Sequence, residues 1–245
     1  MRGSWRLVRL AGVNIDVHWS FSFIILWVIL QGALTHGKPE VIAFALVAVL
    51  LLFACVLMHE LGHALVAARF QVPVKNIVLL PIGGLAQMQT LPENPLHEMV
   101  IAGAGPLVNL VIALSLLPAM LVFTQPAFLL GFIHSPDTVL DAVLQSFFQH
   151  GAPLGLIVFL LLANLILFLF NLIPAFPMDG GRILRAGLAL KVPYPHATQL
   201  AVNLGRVIAV GLILVAFYVK SPGLFFVAVF VLMAGRPLRY QRVRD

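Results

Sequence analysis

The chain has 245 residues, of which 61% are hydrophobic and only 10% are charged, and its mean hydropathy is +1.05. So few charged residues cannot cover the surface of a water-soluble domain, so we expect lipid to be the solvent for most of the chain. The net charge of +6 does not indicate a nucleic-acid partner, because the basic residues stand at the ends of apolar segments, where they set membrane orientation. The single cysteine, Cys55, excludes an intrachain disulfide and a cysteine-based zinc site.

Apolar segments of about 20 residues, long enough to cross a bilayer as helices, recur along the chain. We predict an all-α integral membrane protein with six transmembrane helices in a single domain, 1–245. The predicted spans are 17–35, 41–69, 97–123, 153–174, 197–219 and 222–238. With the N-terminus inside, two of the 15 Lys and Arg residues, Lys38 and Lys220, fall outside and the other 13 inside. This positive-inside bias predicts a multi-pass protein of the cell membrane with both termini in the cytoplasm.

Residues 72–90 interrupt this pattern between the second and third spans. They are rich in Val and Ile but contain Pro81, Gly83 and Gly84, which favours short strands around a glycine turn. Backbone of this kind is tolerated at membrane depth only where protein or a water-filled cavity covers its polar groups. We therefore predict a short β or re-entrant segment over 72–90. The connection 124–150 is expected outside the cytoplasm, with a helical piece around 137–149.

Apart from Glu98, the second residue of the third predicted span, Glu60 is the only acidic residue within a predicted span, where an ionisable side chain is costly and indicates a functional site. It belongs to the motif His59-Glu60-Leu61-Gly62-His63, and histidines four residues apart lie one turn apart on the same helix face. That geometry suits two ligands of a zinc ion, with Glu60 beside them to take a proton from water at the metal. The alternative is a pair of structural histidines hydrogen-bonded within the helix bundle.

Asp179 is the best candidate for a third zinc ligand, since a catalytic zinc usually takes three ligands from the protein. Two prolines and two glycines break the helix near Asp179, which would let its carboxylate turn back toward the metal. Asp179 could instead cap a helix over 180–190. Glu93 and Glu98 are alternative ligands, although each stands near a predicted helix start, where capping also explains it.

Asn109 and Asn171 are amides in otherwise apolar helices and are candidate substrate-binding residues. Each could orient the substrate or stabilise the oxyanion that forms when water attacks the peptide bond. The alternative is interhelical hydrogen bonding, or, for Asn171, capping of the fourth span. Asn164 and Asn203 belong to no motif, and we predict that they are packing residues.

Five sequence motifs are spread along nearly the whole chain: HELGH at 59–63, PIGGLA at 81–86, AGPLVN at 104–109, NLIPAFPMDGG at 171–181 and GVNIDVHWS at 12–20. Together these motifs resemble those of the site-2 protease family of intramembrane zinc metalloproteases. The resemblance implies that His59, His63 and Asp179 bind one Zn²⁺ and that Glu60 is the catalytic base. It also implies that the substrate is a transmembrane segment of another protein, cut near its cytosolic end to release a regulatory fragment or to clear a remnant signal peptide.

A membrane metal-ion transporter that uses the His and Glu side chains as a transit site is the alternative function. Such a transporter needs polar groups along a path to both faces of the membrane, whereas here they cluster near one face. The expected partners are therefore a transmembrane protein substrate and the lipid bilayer, with no nucleic acid.

Overall fold

The computed structural model describes residues 3–10, 12–35, 37–81, 83–88, 92, 94–123 and 153–234. Its strands are β1 Ser4–Leu10, β2 Val13–His18, β3 Val74–Leu80 and β4 Gly83–Met88. Its helices are α1 Ser22–Leu34, α2 Pro39–Arg69, α3 Pro95–Phe123, α4 Pro153–Asn171, α5 Asp179–Ala189, α6 Tyr194–Tyr218 and α7 Pro222–Ala234. A short 3-10 turn, Trp19–Phe21, leads into α1. The helical piece predicted around 137–149 lies outside the described residues.

The first two strands form an antiparallel hairpin that lies ahead of the first predicted span. Leu10 pairs with Val13 across a tight turn, in which Gly12 has a φ of +84°, a conformation open to glycine without steric penalty. β2 then pairs in parallel with β3, and the four-stranded sheet has the order β1-β2-β3-β4. The described chain is therefore mostly helical, as predicted, but its strands are not confined to the segment 72–90, because the hairpin β1–β2 was not predicted. The missed hairpin carries Arg6 and Arg9, so its hydrophobic pattern is too weak to stand out among the long apolar segments.

The strands β3 and β4 lie within the segment 72–90. Residues 76–79 of β3 are buried in succession, which is typical of a parallel strand covered on both faces. Asn76 Nδ2 donates a hydrogen bond to Asp16 Oδ2 over 2.7 Å and so ties β3 to β2 by side chains as well as by backbone. The backbone polar groups of β3 are thus engaged in a sheet, as a segment close to a membrane requires.

Among the described residues, four helices are long and apolar enough to cross a bilayer, which supports a multi-pass membrane protein. These candidate spans are Pro39–Arg69, Pro95–Met120, Leu154–Asn171 and Tyr194–Tyr218. The segments predicted as the first and sixth spans form shorter apolar helices, Trp19–Leu34 and Pro222–Met233. The 13 residues of α1 or α7 reach about 20 Å at 1.5 Å per residue, less than the roughly 30 Å of a hydrocarbon core. The count of six spans is therefore not confirmed, because the helix at each end of the described chain is too short.

Large apolar side chains point outward from the long helices, and small ones fill the contacts between helices. On α6, Val207, Leu214 and Phe217 are 68%, 66% and 69% exposed, whereas Ala201 and Ala209 are fully buried. In water such an exposed apolar surface would mark an interaction site, and here lipid tails are the partner that covers it. Small residues at the buried positions let helix backbones approach closely, as is usual in membranes.

The chain divides into two compact units. The first comprises Met1–Glu60, Asn76–Leu85 and Val108–Leu167, and the second comprises Leu61–Lys75, Ala86–Leu107 and Phe168–Asp245. Within the first unit, the rings of Phe21 and Phe53 meet edge to face with their centroids 4.6 Å apart. Within the second unit, the loop before α5 packs on α6 and α7 through a buried cluster. Its members are Ala175, Met178, Ala209 and Val231.

Replacement of Ile77 tests the burial of the sheet. Ile77 in β3 is fully buried, so Ile77→Ala should lower the free energy of unfolding by about 2–5 kcal/mol, measured by denaturant titration of the purified protein in detergent. Lys75, exposed in the same strand, is the matched control, and Lys75→Ala should change that free energy by less than about 0.5 kcal/mol. Equal effects of the two substitutions would contradict the burial of β3.

Candidate metal centre

Helix α2 carries the His-Glu-x-x-His motif near its C-terminal end. His59 and His63 are buried, with 7% and 3% of their surface exposed, and Glu60 is partly buried. The spacing of four residues places the two imidazoles on one face of a continuous helix, one turn apart. The metal-binding geometry predicted for this motif is therefore available in the fold.

The orientation of the His63 ring is set by a backbone carbonyl. Its Nδ1 lies 2.7 Å from the carbonyl oxygen of Ile101 in α3, and its Nε2 lies 3.1 Å from Oδ2 of Asp179. Because a carbonyl oxygen can only accept, Nδ1 carries the hydrogen in the neutral ring, and the Nε2 lone pair faces the aspartate. A histidine ligand held by its other nitrogen in this way is typical of zinc sites.

Asp179 is the first residue of α5, and its carboxylate is turned toward His63. The residue before it, Met178, is the N-cap of the helix, so the alternative in which Asp179 caps a helix over 180–190 is wrong. Asp179 Oδ1 lies 3.7 Å from the guanidinium of Arg182 one turn later. One carboxylate oxygen thus faces the histidine and the other a cation, which suits a ligand that binds through a single oxygen.

Two glycines allow the loop before α5 to fold against the first turn of the helix. A Cβ atom at Gly180 would collide with the carbonyl oxygens of Leu172 and Ile173. A Cβ at Gly181 would lie only 2.7 Å from the backbone of Ala175. Both positions are therefore restricted to glycine by contact with backbone, and this close packing places Asp179 at the site.

The His59 ring is held by a side chain rather than by backbone. Its Nδ1 lies 2.5 Å from Oδ1 of Asn109 in α3, and Nδ2 of Asn109 donates to Oδ1 of Asn164 in α4 over 2.8 Å. The sequence predicted Asn109 to be a candidate substrate-binding residue, and in the structure its side chain contacts His59, a predicted zinc ligand. Asn164 was predicted to be a packing residue, and the structure places its amide in the same hydrogen-bonded series.

The three predicted ligands fit a zinc ion. His59, His63 and Asp179 each offer one ligand atom, and these atoms lie within 4.8 Å of one another. Bonds of about 2.0–2.1 Å in tetrahedral zinc sites place neighbouring ligand atoms about 3.3 Å apart. The 3.1 Å between His63 Nε2 and Asp179 Oδ2 is close to that spacing. Two imidazoles and one carboxylate leave a fourth position for water, as in catalytic zinc sites.

Glu60 lies against the strand β4. A Cβ atom placed on Gly84 would lie 2.5 Å from Cγ and 3.1 Å from Oε1 of Glu60, so the glutamate fills the space that a side chain at position 84 would need. Steric contact therefore explains the glycine at this position, because only a residue without a side chain lets the backbone of β4 approach Glu60, the predicted catalytic base.

The remaining predicted candidates have different surroundings. Asn171 is the last residue of α4 and is partly buried, eight positions before Asp179 in the chain. Glu93, an alternative ligand, lies outside the described residues. Glu98, the other alternative, is the fourth residue of α3, and its side chain does not serve as a helix cap.

Glu98 is instead the centre of a buried ion pair within the second unit. Its carboxylate is fully buried and accepts hydrogen bonds from the guanidinium of Arg185 in α5 and the hydroxyl of Tyr194 in α6. The guanidinium carbon also lies 5.2 Å from the ring centroid of Phe176. Capping and zinc ligation are both wrong for Glu98, because its oxygens are used to join three helices.

The site consists of two imidazoles and a carboxylate on and beside a membrane helix, with a glutamate in the same helical turn, and this is the arrangement of a zinc metalloprotease. The model of peptidase family M50 matches residues 47–212, a range that contains every predicted ligand. The chain belongs to peptidase family M50.

Individual relatives agree with this assignment. The chain is 36% identical over 234 residues to the zinc metalloprotease MJ0392 of Methanocaldococcus jannaschii, a match that covers 94% of this chain and 59% of that protein. It is 28% identical over 176 residues to stage IV sporulation protein FB of Bacillus subtilis, covering 71% of this chain and 49% of that protein. The chain thus spans about half to three fifths of the length of these curated relatives.

A solved structure has the same fold. The structure of a site-2 protease from Methanocaldococcus jannaschii matches with a TM-score of 0.64 and 32% identity, covering 99% of this chain and 100% of that one. The resemblance to site-2 proteases is therefore confirmed, and the relatives and the donor set together support Zn²⁺ as the cofactor. Neither the family nor these relatives support the metal-ion transporter.

Removal of Arg185 tests the buried ion pair. Arg185→Met leaves the Glu98 carboxylate buried without its cation and should lower the free energy of unfolding by about 3–5 kcal/mol. Lys191, an exposed basic residue just beyond the end of α5, is the control. Denaturant unfolding in detergent that gives the same stability for Arg185→Met and Lys191→Met would contradict the role of the pair. The double variant Glu98→Gln, Arg185→Met should lose less than the sum of the two single losses.

Proposed function

We propose that this chain is an intramembrane zinc metalloprotease that hydrolyses a peptide bond within the transmembrane segment of another membrane protein. The observation that carries the proposal is the buried group of His59, His63 and Asp179, two of them on a helix long enough to span the bilayer. Zinc bound there would polarise the scissile carbonyl and activate a water molecule for attack.

The positions of the side chains support the following roles. His59, His63 and Asp179 hold the metal, and Glu60 accepts a proton from the attacking water and passes it to the leaving amine. Asn171 orients the substrate or stabilises the oxyanion. For Asn109, the contact between its Oδ1 and His59 supports a role in holding the ligand, and its contact with substrate stays a prediction.

The substrate enters as a helix and must unwind locally, because a peptide bond within a helix is shielded from attack. The strand β4 is at an edge of the sheet, and open sheet edges bind extended peptides by backbone hydrogen bonds. Since Gly84 in β4 lies against Glu60, a peptide paired with this strand would run past the catalytic base. This proximity supports β4 as the strand that receives the substrate.

We also propose that cleavage takes place near the cytoplasmic face of the cell membrane. His63 stands six residues before Arg69, the last residue of α2, which corresponds to a depth of about 9 Å at 1.5 Å per residue. The distribution of Lys and Arg supports cytoplasmic termini. In this topology the shorter helices Trp19–Leu34 and Pro222–Met233 are the first and sixth membrane segments.

The decisive experiment separates metal binding from catalysis. The chain is co-expressed with a panel of epitope-tagged single-span membrane proteins, and full-length and cleaved forms are quantified while zinc content is measured on the purified protease. Glu60→Gln should keep one zinc ion and lose cleavage by at least about 10²-fold, because the proton acceptor is gone but the ligands remain. His63→Ala should lose both zinc and cleavage. Retained cleavage by Glu60→Gln would overturn the assignment of the base.

Replacement of Gly84 tests the approach of β4 to Glu60. Gly84→Ala should displace the Glu60 side chain and lower the cleavage rate about 10- to 100-fold, because small misplacements of a catalytic group are costly. Zinc content should stay unchanged, since Glu60 is not a ligand. Gly211 in α6 has open space around it, and Gly211→Ala is the control with unchanged cleavage. A native cleavage rate for Gly84→Ala would contradict the importance of this contact.

A further inference from the structure

A series of side-chain amides leads from His59 to a backbone carbonyl in another helix. His59 in α2 contacts Asn109 in α3, which contacts Asn164 in α4. Asn164 in turn contacts the carbonyl oxygen of Leu160, one turn earlier in its own helix. Asn109 and Asn164 are fully buried and His59 nearly so. The series therefore lies where water cannot replace a missing partner, and each member depends on the next.

The direction of these hydrogen bonds is set at the end far from the metal. The carbonyl oxygen of Leu160 can only accept, so the Asn164 atom 2.8 Å from it is the amide nitrogen Nδ2. The Asn164 oxygen then faces Asn109 and accepts from its Nδ2 over 2.8 Å. Asn109 is left with its oxygen toward His59, so the His59 Nδ1 must carry the hydrogen.

We propose that Asn164 is a positioning residue that fixes, through Asn109, the tautomer and the ring orientation of His59. With the hydrogen on Nδ1, the lone pair of the neutral ring is on Nε2, which is the ligand atom of this tautomer. Without Asn164, the Asn109 amide could turn over and present its nitrogen to His59, which favours the opposite tautomer. The proposal rests on the proposed role of His59 as a zinc ligand.

Packing alone does not account for an asparagine at position 164. A leucine branches at Cγ as asparagine does and, although it is larger, would be the usual residue in an apolar helix, without the cost of burying an amide. Asn203 in α6 provides the contrast, because it is exposed and its oxygen accepts from Gln199 within the same helix. The two asparagines were indistinguishable in the sequence, and only Asn164 is connected to the metal centre by the hydrogen bonds described above.

The test measures the zinc affinity of the purified full chain in detergent, by competition with a chelator of known affinity. Asn164→Leu and Asn109→Leu should each weaken zinc binding about 10- to 100-fold, and Asn203→Leu should leave it unchanged. Because Asn164 acts through Asn109, the double variant should bind zinc no more weakly than Asn109→Leu alone. Native affinity in Asn164→Leu, or additive losses in the double variant, would overturn the proposal.

A second pair of variants covers the case in which Asn164→Leu does not fold. As a carboxylic acid, the side chain of Asn164→Asp can donate to the Leu160 carbonyl and accept from Asn109, so it preserves the direction of the series. Its zinc affinity should exceed that of Asn164→Ala, and equal affinities would overturn the proposal. The variant His59→Ala distinguishes a failure of the proposed metal site from a failure of the role proposed for Asn164. Zinc retained by His59→Ala contradicts the proposed metal site, whereas zinc lost there but held at native affinity by Asn164→Leu overturns only the role of Asn164.

Discussion

Water is excluded from the hydrocarbon interior of a bilayer, and every polar group placed there must find a partner in the protein. In this chain the partners are supplied by the site itself. His63 is hydrogen-bonded to a backbone carbonyl of α3. His59, Asn109 and Asn164 are hydrogen-bonded one to the next across three helices. The same hydrogen bonds that make these polar groups tolerable also direct the imidazole nitrogens, so the solvation requirement and the metal geometry are met by one set of contacts.

The parts of the site that depend on local spacing could be predicted from the sequence. In a continuous helix, residues four positions apart lie on the same face. The juxtaposition of His59 and His63 could therefore be predicted without knowledge of the rest of the fold. Asp179 was foreseen as a candidate because prolines and glycines break the helix around it. That its carboxylate faces His63 from the start of α5 could not be derived from the sequence, since it depends on contacts of Gly180 and Gly181 with the backbone of the preceding loop.

The parts that depend on contacts between distant segments were missed. Strand β2 pairs with β3, and Asn76 donates a hydrogen bond to Asp16, 60 residues earlier in the chain. Hydrophobic patterning does not reveal such a pairing. Glu98 looked like a helix cap, because its true partner, Arg185, comes 87 residues later. Asn164 looked like a packing residue for the same reason. In a chain this apolar, composition marks which segments lie in lipid but carries little information about which helix faces meet.

The two histidines are held by different kinds of acceptor, and this difference bears on how the protein can evolve. The acceptor for His63 is the backbone oxygen of Ile101, which every residue at that position supplies, so point substitution there cannot delete it. The acceptor for His59 is the side chain of Asn109, which is hydrogen-bonded in turn to the side chain of Asn164. A substitution at either position can therefore remove or alter this contact. Under the proposed role of Asn109 and Asn164, point substitutions can therefore adjust metal affinity on the His59 side, whereas the acceptor for His63 does not depend on which side chain stands at position 101.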